Sequence, residues 1–320
     1  MDVKLIITLC NVPKVGRKTI QNILNLAGAD RVNTLEELAQ FLDSEEKRIS
    51  RFKSPIFSTL EVAHDKALSI LKKSNEAGIK AIGFFDSLFP ECLKHINDHP
   101  VILYTKGDVR LLNEKYKVAI IGTRKPTSFG SRSAVKIATR FAKNNFIVVS
   151  GLAVGCDTHG HVGCLNANGR TIAVLAHGLD TVFPDENNEL AKTILSKKGC
   201  LVSEYPIGTR CQRYTFVDRD RLQSGLSDAV IVIETDIIGG TMHTVRFCIE
   251  QEKILACINH PAEHLSQSST YGNQKLISDG IAKPLNDEKD IEALMEEISI
   301  TIKNSKKILH HPVSKQLPLF

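Results

Sequence analysis

The stretch that most restricts the fold runs from Lys117 to His161, KVAIIGTRKPTSFGSRSAVKIATRFAKNNFIVVSGLAVGCDTHGH. Val118–Ile121 is an unbroken apolar run without polar alternation, the mark of a strand buried on both faces. It ends in Gly122-Thr123-Arg124, and a helix is expected after Gly130, where Ala134, Ile137, Ala138 and Phe141 fall on one face at i, i+3, i+4 and i+7. Phe146–Val149 is a second buried run and ends in Ser150-Gly151-Leu152-Ala153. Strand, glycine turn, helix, strand, glycine turn is a βαβ unit, with its loops at the carboxyl ends of parallel strands.

The pattern continues downstream. Thr171–Leu175, Cys200–Ser203, Ala229–Ile233 and Ile254–Ile258 read as strands, with helices near Asn187–Ser196 and Thr241–Glu250. Such alternation specifies a doubly wound, mostly parallel α/β sheet. Upstream, Ala81–Phe85 and Val101–Tyr104 are short strand-like runs between prolines, expected at the edge of the sheet that Val118 begins. Residues 1–75 read as helices. Thr34–Leu42 is a helical stretch with Thr34 or Asn33 as its N-cap and Glu37 three or four residues on, and Val62–Leu71 is a further helix. The expected organisation is a helical domain over 1–75, an α/β domain over 76–295 and a flexible tail over 296–320.

The glycine turns suit phosphate. Gly122 and Gly151 let backbone approach a ligand, and the following helix starts present N–H groups and a favourable dipole to an anion. Thr123 and Ser150 lie in the same turns; Arg124 adds a planar fork and Lys125 a second charge. Gly239-Gly240-Thr241 is a third such turn. The spacing is not that of the dinucleotide-binding fingerprint, and no acidic ribose reader stands about 20 residues on. Between Gly208 and Arg221 lie Arg210, Arg213, Arg219 and Arg221, interleaved with Tyr214 and Phe216. Arginines grip phosphates and aromatic faces stack on unpaired bases, so this reads as a single-strand binding patch. The competing reading is a solvated loop and helix start with Phe216 in the core. Near the N-terminus, Lys14, Arg17 and Lys18 flank a turn at Gly16 that resembles a helix-hairpin-helix, a secondary phosphate contact; the rival reading is a plain connection between helices.

Composition narrows the classes without choosing among them. The 320 residues are 42% hydrophobic and 24% charged, with a net charge of +5. This is an ordinary globular balance whose mild basic excess permits nucleic acid. No apolar run is long enough to span a membrane, and MDVKLIITLC lacks the features of a secretory signal. Eight scattered cysteines fit a reducing cytoplasm. Cys156, His159, His161 and Cys164 have spacing worth weighing as a metal site, but on one helix they cannot all face one point, so no metal is expected.

The ordered motifs resemble the DprA/Smf family of DNA-processing proteins. They are Leu88-Phe89-Pro90, Leu103-Tyr104 with Lys106-Gly107-Asp108, Gly122-Thr123-Arg124 with Ser128-Phe129-Gly130, and Ser150 to Gly155 with Asp157 and His161. Gly178-Leu179-Asp180, Phe183-Pro184 with Asn187, Ser203 to Pro206 with Gly208-Thr209, and Phe216 with Arg219 and Arg221 follow. Gly225-Leu226-Ser227, Gly239-Gly240-Thr241 and Gly272-Asn273 with Leu276-Ile277 complete the set. The resemblance covers roughly 80–290. It implies an extended Rossmann-like sheet preceded by a small helical domain of the SAM or helix-hairpin-helix kind. It also implies single-stranded DNA held by the glycine turns and arginines, a RecA recombinase as partner, a homodimer, and no catalytic residues or cofactor.

This chain departs from the family pattern at Gly155-Cys156-Asp157, at Arg219-Asp220-Arg221, where a carboxylate replaces an asparagine, at Gly239-Gly240-Thr241 and around Asn259-His260-Pro261. The alternative functions are a non-catalytic nucleotide-ligand sensor, or a scaffold in a replication-linked or defence assembly. At the C-terminus a winged helix does not fit. The tail, with Lys303 to Lys307 as a mobile basic linker, ends in Gln316-Leu317-Pro318-Leu319-Phe320. That peptide resembles the motif that docks on the β sliding clamp, with Gln316, Leu317, Leu319 and Phe320 as its anchors.

Overall fold

The computed structural model describes residues 1–309; the clamp-like peptide with Gln316, Leu317, Leu319 and Phe320 lies outside the described residues. Four helices open the chain: α1 (Val3–Cys10), α2 (Arg17–Leu24), α3 (Leu35–Glu45) and α4 (Phe57–Glu76). The Asp2 carboxylate accepts the Leu5 N–H at 3.0 Å and starts α1. The capping box at α3 forms as its sequence dictates, with the Glu37 N–H on Thr34 Oγ1 at 3.1 Å and the Thr34 N–H on Glu37 Oε2 at 3.3 Å. Lys14, in the turn between α1 and α2, takes a left-handed φ of 66°.

The sheet has nine strands. β1 (Lys80–Gly83), then the short helix α5 (Glu91–Lys94), and β2 (Ile102–Gly107) lead into β3 (Lys117–Ile121). Helix α6 (Ser128–Lys143), β4 (Ile147–Ser150), α7 (Cys156–Asn166), β5 (Thr171–Val174), α8 (Asn188–Ser196) and β6 (Cys200–Ser203) follow. Then come α9 (Arg213–Gly225), β7 (Ala229–Val232), α10 (Thr241–Glu250), β8 (Ile254–Ile258), α11 (Ser268–Ser278), β9 (Lys283–Leu285) and α12 (Glu288–Leu309). The strand order is β1-β2-β6-β5-β4-β3-β7-β8-β9, antiparallel at β1/β2 and β2/β6 and parallel elsewhere. This is the expected extended Rossmann-like, mostly parallel α/β architecture.

Alternation along β3 and β7 sorts the side chains into two cores. Val118, Ile120 and Ile231 pack under α6, α7 and α12, whereas Ala119, Ile121, Val230 and Val232 pack under α10 and α11. Leu222 of α9 and Leu226 at its C-terminal cap join Ile147, Val149, Ile172 and Val174. The N-terminal helices are continuous with a further core, in which Leu5, Ile23, Leu38 and Leu60 cluster with Tyr104 and Leu201.

β1 and β2 lie at one edge of the sheet that contains β3, as expected, with β6 as the neighbour of β2. Two expectations need correction. Gly130 lies inside α6, whose N-cap is Thr127, so the helix begins before it. The described part of the tail expected over 296–320, up to Leu309 and including the linker at 303–307, is the second half of α12; Ile291, Leu294, Met295, Ile298 and Ile302 recur at helical spacing and pack on the sheet.

Candidate nucleic-acid interface

The chain leaves β3 toward β4 on one side and returns through β7 on the other, so the β3/β7 boundary is the topological switch point. The loops leaving adjacent strand ends diverge there and open a crevice. A cleft of about 980 Å³ lies at this point, lined by the loops after β3 and β7, the start of α9 and the starts of α10 and α11. It unites Gly122, Thr123, Arg124, Lys125, Arg213, Phe216, Arg219, Gly239, Gly240 and Thr241, ten of the anticipated phosphate-site residues. Arg210 is exposed on the approach to α9 but does not line the cleft.

The loop after β3 is clamped from both sides. The Thr123 N–H donates to Glu234 O at 2.8 Å, and the Cys156 N–H donates to Thr123 O at 3.1 Å. Arg124 and Lys125 project from this fixed turn and are exposed. The Arg124 guanidinium lies 5.2 Å from the centre of the Phe216 ring, and Phe183 continues the apolar ledge at 6.1 Å from Phe216. Among the described residues, Arg124, Lys125, Arg210 and Arg213 form no ion pair. The rim therefore offers uncompensated positive charge next to an aromatic face, which suits a flexible polyanion with exposed bases.

Arg219, Arg221 and Arg17, also named from sequence, are spent inside the protein. Arg219 donates through Nη1 to Gly151 O at 2.7 Å and Val174 O at 2.9 Å, and through Nε to Asp220 Oδ1 at 3.0 Å. Those carbonyls end β4 and β5 and need donors, which Arg219 supplies. Arg221, only 2% exposed, forms a two-pronged pair with Glu204 at 2.6 Å on each prong, and its Nε donates to Asp98 O at 2.7 Å. Arg17 is held by Asp98 at 2.5 Å and Asp218 at 3.4 Å, which joins α2 to the sheet. Arg221 and Arg17 thus hold elements together where phosphate contacts were anticipated. Lys14 and Lys18 remain exposed, away from the cleft lining.

The glycines also have internal tasks. A Cβ on Gly151 would stand 1.7 Å from Arg219 Nη1, and one on Gly122 would stand 2.6 Å from Cys156 Sγ. Their bare α-carbons admit the protein's own side chains, while Gly122 also lines the cleft. Ser150 Oγ is likewise committed, donating to Ile120 O at 2.7 Å. At Gly240 a Cβ would meet nothing within 4 Å, so this turn is open. The start of α6 holds no vacant anion site either. The buried Glu234 carboxylate accepts the Thr127 N–H at 2.8 Å and the Thr127 hydroxyl at 2.5 Å, filling it from within. Burial would raise the Glu234 pKa, but His260, 3.6 Å away, and the bonds from Thr127 outweigh it and hold the group below its ordinary value.

Asp157, Asp220 and Gln223 form the floor of the cleft. The sequence marked Asp157 within a family motif and Asp220 as a departure from the family pattern, whereas Gln223 escaped it. Burial is the main cause raising both carboxyls, that of Asp220 to about 6, against the pull of Arg219; the Asp157 charge also raises Asp220. The loop after β7 is fixed by α11. Asn273 Oδ1 accepts the Thr235 N–H at 2.9 Å, while its amide nitrogen serves Val232 O, Ile233 O and Ile258 O. The only advance signal of that role was the Gly272-Asn273 motif itself. Cys156, His159, His161 and Cys164 are strung along α7, and among the described residues no group of three or more His, Cys, Asp or Glu side chains could hold a metal.

Fold and cleft together define a doubly wound α/β protein with a basic, aromatic-edged crevice at its switch point. A sequence model of the family described as DNA recombination-mediator protein A matches residues 80–297, and the chain belongs to that family. It is 36% identical over 192 residues to the DNA processing protein DprA of Bacillus subtilis (60% of this chain, 64% of that protein). It is 30% identical over 230 residues to Protein Smf of Escherichia coli (72% and 60%). The matches thus span less than two thirds of these relatives' own lengths. The solved DprA of Streptococcus pneumoniae superposes with a TM-score of 0.76 at 26% identity, covering 92% of this chain and 98% of that one. That of Helicobacter pylori, described for its single-stranded DNA binding mode, gives 0.61 at 29% identity, covering 68% and 96%.

Proposed function

We propose that the chain binds single-stranded DNA in the switch-point cleft and acts, without catalysing a reaction, as a DNA-processing factor that passes the strand to a RecA recombinase during DNA uptake and recombination. The observation that carries the reading is the rim of unpaired Arg124, Lys125 and Arg213 beside the half-buried ring of Phe216 and the exposed ring of Phe183. Cations supply sequence-independent phosphate contacts, and stacking needs base faces that a duplex hides. The single-strand binding of the Helicobacter pylori relative supports the same assignment. The protein works as a homodimer, and its C-terminal Gln316–Phe320 peptide docks on the β sliding clamp, so truncation after Lys315 abolishes clamp binding in a pull-down.

The deciding experiment is a titration with single- and double-stranded oligonucleotides at two salt concentrations. Single strands bind more tightly, and Arg124→Ala weakens binding and reduces the salt slope by about one, as loss of one phosphate contact does. Equal affinity for the duplex, or an unchanged Arg124→Ala protein, would refute the assignment.

A further inference from the structure

Asp220 is out of place in a cleft that holds only phosphates. It is 9% exposed and lines the cleft floor. Its Oδ1 is occupied, accepting Arg219 Nε at 3.0 Å. It also accepts the Gln223 amide nitrogen at 3.0 Å, in the orientation that lets the Gln223 oxygen take the Gly151 N–H at 2.7 Å. Its Oδ2 has no hydrogen-bond partner. The charged groups around it are Arg219 on the same helix, Asp157 from α7 and Arg124 from the loop after β3. A phosphate driven to this floor would meet two carboxylates, whereas at the rim it meets Arg124, Lys125 and Arg213. Charge therefore sorts a bound strand, backbone outward at the rim and a base inward, with the Phe216 ring to stack against it.

We propose that Asp220 reads that base, its free carboxylate oxygen accepting a hydrogen bond from the exocyclic amino group of cytosine, adenine or guanine and disfavouring thymine. A carboxylate can only accept. Cytosine and adenine each present an amino donor on the pairing edge, and guanine adds one beside its ring N–H. Thymine offers one ring N–H between two carbonyl oxygens, so an acceptor facing that edge meets repulsion on either side. An asparagine in this position would both donate and accept and so would not discriminate. The inference rests on the single-strand reading of the cleft and adds to it a base preference.

The test is fluorescence anisotropy of the full chain with labelled oligo-dC, oligo-dT and oligo-N4,N4-dimethyl-dC of equal length, at neutral pH and one salt concentration. The expected result is oligo-dC bound roughly tenfold more tightly than oligo-dT, the size of one charge-assisted hydrogen bond. Dimethylation, which removes both donor hydrogens, should abolish the advantage, and Asp220→Asn should bring the dC and dT affinities together. Equal binding of dC and dT, or a dC advantage that survives dimethylation, overturns the role of Asp220 and leaves single-strand binding standing. Failure to bind any of the three oligonucleotides removes both readings. The dimethylated probe needs no variant, so a misfolded Asp220→Asn protein does not prevent the decision.

Discussion

Replacing Arg221 with methionine separates the structural arginines from the DNA-binding ones. The change keeps an unbranched apolar stem, removes the guanidinium, and leaves Glu204, whose side chain is 8% exposed, facing a buried site without its two-pronged partner. Breaking a buried pair by deleting one partner costs about 3–5 kcal/mol, because the remaining charge is uncompensated. Arg17 lies 3.7 Å from Glu204 and supplies part of the lost field, so the lower end of that range applies. At roughly 2–4 °C per kcal/mol for a chain of this size, the melting temperature falls by about 10 °C. The affinity of the folded fraction for single-stranded DNA, titrated well below the transition, stays at the parent value, since Arg221 does not line the cleft. Arg124→Ala should do the reverse, with the melting temperature held and affinity lost. The double variant Arg221→Met/Glu204→Gln should recover most of the stability, as removal of both charges leaves none unpaired. An Arg221→Met protein that melts with the parent and yet fails to bind DNA would refute the reasoning and return Arg221 to the phosphate contacts.

Three further outcomes follow from the same geometry. Burial raises Asp220 from 3.8 to about 6, so the folded state binds a proton that the unfolded chain has released; this group's contribution to stability is lost as pH rises through that window. Asp220→Asn should therefore raise the melting temperature above about pH 6, with the gain vanishing near pH 4, as followed by circular dichroism across pH. Gly151→Ala should cost about 3 kcal/mol in a urea titration, because its Cβ would displace the buried Arg219 guanidinium. Gly240→Ala, at a φ of −56° in open space, should instead be neutral or stabilise by about 0.5 kcal/mol.

Local chemistry was enough to place most elements. Apolar runs of strand length gave Ala229–Val232 and Ile254–Ile258, and the Thr34–Glu37 box gave the start of α3, since burial on both faces and helix capping act through neighbouring residues. The βαβ pattern also implied that the glycine turns gather at one end of the sheet. The limits of α6 and α12 were less legible. Thr127 caps α6 only because the Glu234 carboxylate, remote in sequence, completes its first turn, and the polar surface of α12 beyond residue 296 masked the Ile298 and Ile302 stripe that packs on the sheet.

The division is sharpest among the arginines. In sequence, Arg213, Arg219 and Arg221 are one basic run, equally suited to phosphate. Helix α9 turns them in different directions: Arg213 to the rim, Arg219 onto the carbonyls that end β4 and β5, and Arg221 back onto Glu204. Which cation stays free depends on the acceptors that other strands and loops bring to each face of α9, and no local pattern encodes that. The same holds for Asp220, a carboxylate set between two arginines in the chain, which the fold places beside Asp157 with one oxygen unpartnered on the floor of the cleft. Residue type and spacing determined that this chain is a doubly wound sheet with glycine turns at its strand ends. Tertiary packing decided which of its charges are neutralised within the protein and which face a ligand, because ion pairing is settled by distances between segments far apart in sequence.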